Sequence, residues 1–177
     1  MKALVVYESM FGNTEHVARA VASGLARHLD VEVLDVTEAP HEIDQLLDLI
    51  VVGGPTHAFS MTRPSTREDA VRQGATHGSP TRGIREWLEH QHAGPHSELV
   101  ATFDTRVAKV RHLPGSAARK AAHVAHKVGY GPAASPISFY VVDTDGPLLE
   151  GELARAEEWG DRLGADAELR AHGRVPT

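Results

Sequence analysis

The residues with the most evident chemistry are Glu8-Ser9-Met10-Phe11-Gly12-Asn13-Thr14-Glu15, which lead from an apolar segment, Lys2 to Tyr7, straight into an amphipathic stretch. A turn of this kind at the start of a helix gathers free backbone N–H groups and the positive end of the helix dipole at one spot. Such a spot suits a phosphate. Ser9, Asn13 and Thr14 offer side-chain donors, and Gly12 removes a Cβ where the backbone must wrap closely. The turn holds no Lys or Arg, which separates it from a P-loop, and it has no Gly-x-Gly-x-x-Gly.

Two further segments carry flat side chains beside backbone polar groups: Gly53-Gly54-Pro55-Thr56-His57-Ala58-Phe59 and Phe103-Asp104-Thr105-Arg106. If all three segments follow strands of one parallel sheet, they converge at its carboxyl edge, where open α/β sheets bind ligands. A phosphate tethered to a planar, hydrogen-bonding ring would fill the space between them. Other chemistries fit less well. A phospho-accepting receiver needs clustered acids after the first strand and an Asp ending the third, and the chain offers Glu8 alone and Gly53-Gly54. A Ser-His-Asp hydrolase needs a Gly-x-Ser-x-Gly elbow, which is absent. Without cysteine there is no thiolate nucleophile, disulfide, Cys-ligated zinc or iron-sulfur cluster. His90, His92 and His96 have tempting spacing but no companion carboxylates, so no metal site is expected, nor a catalytic acid or base.

The elements that must position these segments are legible in the pattern. Strand-length apolar runs recur at Lys2 to Tyr7, Val31 to Val36, Leu49 to Gly53, Leu99 to Phe103 and Ser138 to Val142, nearly unalternated, as strands buried on both faces read. Helical stripes lie between them: Val17, Val21, Leu25; Ile84, Trp87, Leu88; Ala118, Ala121, Ala125; and Leu153, Ala156, Trp159, Leu163. Ser79-Pro80 and Ser116 read as helix starts and Gly129 as a stop. Pro40 to Leu47 leaves room only for a short helix or a loop. Gly54 to Gly78 is too long for an ordinary connection and is a functional candidate, with a short helix from Ser65 to Gln73 opened by a Ser65 to Glu68 capping box. The expectation is an α/β fold, a five-stranded parallel sheet of order 2-1-3-4-5 with helices on both faces, forming one domain over residues 1–169 and a frayed tail over 170–177.

Here the residues carry a family resemblance. Ser-Met-Phe-Gly-Asn-Thr after the first strand and Val-Val-Gly-Gly-Pro-Thr ending the third, within five βα units in this order, resemble a flavodoxin. Flavodoxin is itself the reference case for this strand order with FMN at the switch point. The resemblance implies a flavodoxin-like three-layer sandwich that binds FMN. Ser9, Met10, Phe11, Gly12, Asn13 and Thr14 would hold the phosphate. Pro55, Thr56, His57 and Phe59 would flank one side of the ring, and Phe103, Asp104, Thr105 and Arg106 would approach the other. His57 stands where the family often has a Trp after Pro-Thr, so that either His57 or Phe59 would stack on the ring. Phe11 stands where it often has Thr, and the loop after the fourth strand lacks the family's Tyr.

The 177 residues carry a net charge of −6, unevenly spread: Leu29 to Thr62 holds seven acids and no Lys or Arg, whereas Thr105 to Val142 holds six Lys or Arg and no acid. Arg106, Lys109, Arg111 and His112 therefore fall in the presumed flavin-flanking loop, where cations favour the anionic reduced ring and raise its potential. The reading this supports is an FMN-dependent electron carrier that shuttles between a reductase and an acceptor protein. An NAD(P)H-dependent flavin or quinone reductase of the same fold, with Arg63, Arg67 and Arg106 on a nicotinamide phosphate, is the alternative. A flavin sensor or a cofactor-free interaction module is a third. No signal segment, membrane span or nucleic-acid motif is apparent, so a cytoplasmic protein is expected, with monomer and dimer both open.

Overall fold

The computed structural model describes residues 1–43 and 46–173. Among the described residues the elements run β1 (Lys2–Tyr7), α1 (Asn13–Leu25), β2 (Asp30–Asp35), β3 (Leu49–Pro55), α2 (Pro64–Arg72), α3 (Ile84–Glu89), β4 (Leu99–Val107), α4 (Ala117–Val128), β5 (Gly131–Pro132), β6 (Ile137–Val141) and α5 (Glu152–His172), with α1, α3, α4 and α5 packed on one parallel sheet and α2 set in the β3–α3 connection. The sheet order is β2-β1-β3-β4, with the fifth place shared by β5 and β6. β5 pairs with Leu99 and Val100 at the base of β4, and β6 with Phe103 to Val107 at its top. The expected 2-1-3-4-5 order therefore holds, with its last strand interrupted.

Strand parity builds two cores. Ala3, Val5 and Tyr7 of β1 join Phe103, Phe139 and Trp159 under α1 and α5, while Leu4 and Val6 join Ile50, Ile84, Trp87 and Ala121 under α3 and α4. Successive strand side chains point to opposite faces, so a strand covered on both sides must be apolar throughout. Both tryptophans are core residues, as their stripes require.

Boundaries differ from the sequence reading in places. Ser116 does cap α4, accepting from the Arg119 N–H at 3.2 Å, and Gly129 ends it at φ 109°. α2 starts earlier than expected: Arg63 is its N-cap, Pro64 its first residue, and the hydroxyl of Thr66 accepts from the Arg63 N–H at 2.9 Å. Ser65 is thus inside the helix and caps nothing. α3 starts at Ile84, not at Pro80; Gly83 is its N-cap and donates its N–H to Glu86 at 2.9 Å, while Ser79 closes a turn onto Thr81. None of the described residues between β2 and β3 is helical; Asp44 and Gln45 of that segment lie outside them. α5 runs through His172, so residues 170–172, expected in a frayed tail, are helical; residues 174–177 lie outside the described ones. Among the described residues no helix is long and apolar enough to cross a membrane.

Candidate functional site

A cavity of about 190 Å³ opens at the carboxyl edge of the sheet. Met10, Phe11, Asn13 and Thr14 form one wall; Pro55, Thr56, His57 and Ala58 after β3 form another; Thr105, Arg106 and Val107 of β4 and Val141 and Thr144 after β6 complete it. The three segments singled out in the sequence do converge, as parallel strands of this order require.

The first wall is an anion-binding turn. Gly12 is the N-cap of α1 at φ 85°, a left-handed conformation that favours glycine, and no side chain caps the helix. The first helical bond joins His16 N–H to Gly12 O, which leaves the N–H groups of Asn13, Thr14 and Glu15 without helical acceptors. Ser9, at the head of the turn, is fully buried and its hydroxyl has no partner among the described residues. Ser9 and Gly12 do not themselves line the cavity, which the turn meets through Met10, Phe11, Asn13 and Thr14, but a buried polar group without a partner is costly and the uncapped N–H groups beside that wall can donate to a ligand that accepts hydrogen bonds. A phosphate fits that donor set. Asn13 plays a different part from the one its type suggests: its amide donates to Asp145 O at 3.1 Å and ties down the turn after β6. Thr14 meets Thr105 hydroxyl to hydroxyl at 2.8 Å, buried, across the floor of the cavity.

The second wall is a tight turn closed by His57 N–H to Ser60 O and Ser60 N–H to His57 O, both at 3.0 Å. Ala58 and Phe59 sit inside it at φ 46° and 62°, a strained conformation for non-glycine residues. The turn settles which flat side chain faces the cavity. His57 lines it, while Phe59 is turned outward, 47% exposed and absent from the lining. Burial pushes the His57 imidazole below its ordinary value of 6.5, favouring the neutral ring.

The third wall corrects the sequence reading. β4 continues to Val107, four residues past its expected end, so Asp104, Thr105 and Arg106 are strand residues and not loop, and Phe103 lies inside the strand and not at its end. Phe103 is fully buried, edge-on to Phe139 at 6.0 Å and to Trp159 at 6.2 Å, and it lies against Gly53 so closely that a Cβ there would meet its ring at 2.0 Å. It is therefore a core residue. Asp104 points to the other face, also fully buried, and accepts from the Ala118 N–H at 2.9 Å in the first turn of α4. Thr105, on the side of Phe103 but two residues further out, reaches the cavity. Arg106 lines the cavity too, but its guanidinium donates to the carbonyls of Val110 at 2.7 Å, Gly115 at 3.2 Å and Leu113 at 3.3 Å, folding the turn after β4 around itself. Val107, Val141 and Thr144 were not anticipated. The rule that ligands sit outside the carboxyl ends of the strands would have pointed to the turn after β6.

The long Gly54 to Gly78 segment is pinned from within. Glu8 is fully buried and accepts from the Thr62 hydroxyl at 2.5 Å and the Ile84 N–H at 3.0 Å. Arg67, also fully buried, donates to Thr62 at 2.9 Å and Pro80 O at 3.1 Å and pairs with Glu86 at 3.1 Å. Burial pushes the Glu8 carboxyl above its ordinary 4.5, against the pull of the Thr62 hydroxyl, Arg67 and the Ile84 N–H. Arg67 thus has no freedom to hold a nicotinamide phosphate. The segment ends against the turn, with the His77 N–H donating to Met10 O at 3.3 Å.

Residues 5–68 match the flavodoxin family model. The fold is flavodoxin-like. Solved structures agree over nearly its whole length. A flavodoxin from an archaeon superposes at a TM-score of 0.63 with 20% identity, covering 95% of this chain and 99% of that one. Flavodoxin 1 from Bacillus cereus does so at 0.63 with 16% identity, covering 92% and 97%. The rubredoxin oxygen:oxidoreductase of Desulfovibrio gigas matches at 0.64 with 14% identity; there the flavodoxin-like fold covers 96% of this chain but only 37% of the larger protein. No curated protein matches the chain.

Proposed function

We propose that this flavodoxin-like chain binds FMN in the cavity and passes electrons between redox proteins. The supporting observation is the turn after β1: the start of α1, whose first N–H groups no side chain caps, forms the cavity wall at Asn13 and Thr14, and the Ser9 hydroxyl at the head of the same turn is fully buried without a partner among the described residues. These donors would hold the phosphate. His57, neutral by burial, would lie against one face of the ring, and Thr105 with Val107 would border the other. Bound there, FMN supplies reversible uptake of one or two electrons. The chain's own residues bind and orient it, hold Arg106 as a fixed positive charge in the wall, and exclude water from the ring's inner edge. The burial of Arg67 removes one of the three arginines that a nicotinamide phosphate would need, which favours the carrier over an NAD(P)H-dependent reductase.

An absorbance spectrum of the purified protein, alone and with added FMN, tests the reading. The expected result is a bound flavin whose bands persist on anaerobic mixing with NADPH or NADH and bleach when a ferredoxin reductase is added. Rapid direct bleaching would convert the carrier into a reductase, and failure to take up FMN would overturn both.

A further inference from the structure

The proposed redox role leaves open what kind of protein docks at the cavity, and the surface around it is unusual for so acidic a chain. Residues 105–142 hold six of the eighteen Lys and Arg and no acid, so the remaining twelve cations share the rest of the molecule with all twenty-four acids. The structure concentrates that imbalance on one face. Every exposed residue of α4 is basic or histidine: Arg119, Lys120, His123, His126 and Lys127. Lys109, Arg111 and His112 are exposed in the turn just before it.

A solvated helix face ordinarily mixes signs, and elsewhere this chain does so. Arg19 pairs with Glu15 at 2.8 Å on α1, Arg72 pairs with Asp69 on α2, and Arg162 pairs with Glu158 at 2.7 Å on α5. Lys109, Arg111, Arg119, Lys120 and Lys127 have no carboxylate within ion-pair distance among the described residues. This face also adjoins the cavity. The Ala117 N–H at the start of α4 donates to the Thr56 hydroxyl in the cavity wall at 2.8 Å, and Val107 leads from that wall into the basic turn. Two apolar side chains, Phe59 and Leu113, are each 47% exposed beside it. An apolar centre with a charged rim is how transient protein interfaces are composed. The turn after β6, on the opposite side of the mouth, carries exposed Asp143 and Asp145, so the field across the mouth is asymmetric.

We infer that the β4–α4 side of the cavity is the docking surface for an acidic electron-transfer protein, whose carboxylates meet Lys109, Arg111, Arg119, Lys120 and Lys127 while its redox centre faces the cavity. This inference rests on the proposed flavin binding. Charge complementarity of this kind sets the association rate and orientation more than the final affinity. The acids spread over the rest of the chain repel a polyphosphate approaching at any other angle. A compact acidic partner therefore suits this face better than a nucleic acid does.

The test uses one acceptor in two charge forms: cytochrome c as the native basic protein and with its lysines succinylated to carboxylates. The FMN-loaded protein, its flavin content confirmed by absorbance, is reduced anaerobically and mixed with each form in a stopped-flow instrument. Each ferric haem takes one electron, so two haems oxidise one fully reduced flavin, whose protons leave to the buffer. At an ionic strength of about 10 mM the succinylated form is expected to react about tenfold faster, with the difference gone near about 0.3 M as screening sets in. Arg119→Glu/Lys120→Glu/Lys127→Glu reverses the preference, with FMN affinity and circular dichroism measured alongside to show that the fold is kept. Equal rates at low salt, or an unchanged preference in the folded variant, would overturn the inference. So would duplex DNA that binds the wild type more tightly than succinylated cytochrome c does. A protein that takes up no FMN fails at the first step and overturns the flavin reading itself, which separates the two failures.

Discussion

The hydroxyls of Thr14 and Thr105 lie 2.8 Å apart, joining the first turn of α1 to the end of β4 across the floor of the cavity. Both threonines are almost fully buried. In such a pair one hydroxyl donates and the accepting one keeps its own proton to offer. The pair thus couples the phosphate side of the site to the ring side. Thr14→Val or Thr105→Val alone strands the other hydroxyl and should cost about 1–3 kcal/mol in urea unfolding. The double variant should cost clearly less than the sum of the two. Strict additivity would show that the hydroxyls do not communicate.

Ser9 gives a prediction of opposite signs. Its fully buried hydroxyl has no protein partner, so Ser9→Ala should leave the FMN-free protein as stable as wild type or more so, because the alanine removes an unsatisfied group. The same change should weaken FMN binding about tenfold while leaving riboflavin, which lacks the phosphate, within about twofold. Flavin fluorescence titrations measure both ligands. Equal losses for the two would place Ser9 away from the phosphate.

The strand order, the turn after β1 and the placement of Trp87 and Trp159 were all readable because hydrophobic period and turn chemistry are local properties of the chain. The ends of β3 and β4 were not. Gly54-Pro55 and Thr105-Arg106-Val107 read as loop by composition, yet they extend their strands because neighbours satisfy their backbones: the Thr56 N–H donates to Thr105 O at 2.8 Å. That extension decides the fate of Phe103, since a residue inside a strand takes its face from parity and not from its chemical suitability for stacking. The role of Gly54 to Gly78 was hidden for a similar reason. Glu8, Thr62, Arg67 and Glu86 are far apart in sequence, and nothing local marks an arginine as one that will be buried.

His57 is the flat side chain of the turn after β3 that lines the cavity, and its imidazole is shifted downward by burial. For a base with a lowered folded pKa, the stabilising contribution is present above the ordinary 6.5 and is lost as pH falls through the folded value. Histidine proton shifts followed by NMR should therefore show a midpoint below 6.5 for His57, and FMN affinity should decline on acidification through that midpoint. His57→Ala should weaken FMN binding about tenfold, with His57→Phe restoring much of the loss if the contact is a flat stack. A phenylalanine variant as weak as the alanine would assign His57 a hydrogen-bonding role instead.

Glu8 has the opposite sign. Burial is the largest influence on its carboxyl and raises it, outweighing the Thr62 hydroxyl, Arg67 and the Ile84 N–H. For an acid raised in the folded state, the stabilising contribution is complete below the unfolded value and is lost as pH climbs through the folded one. Urea midpoints of the FMN-free protein should therefore fall as pH rises from the ordinary carboxylate range toward neutrality. Glu8→Gln cannot ionise and should flatten that slope, at a cost of about 1–3 kcal/mol because Thr62 and Ile84 donate to different carboxylate oxygens, one of which the amide replaces with an NH2 donor. Since Thr62 also accepts from Arg67, the same variant should loosen the segment between β3 and α3, seen as faster amide exchange around Thr62 to Arg67 than around α4. A glutamine variant that keeps the wild-type slope would move the titrating group elsewhere.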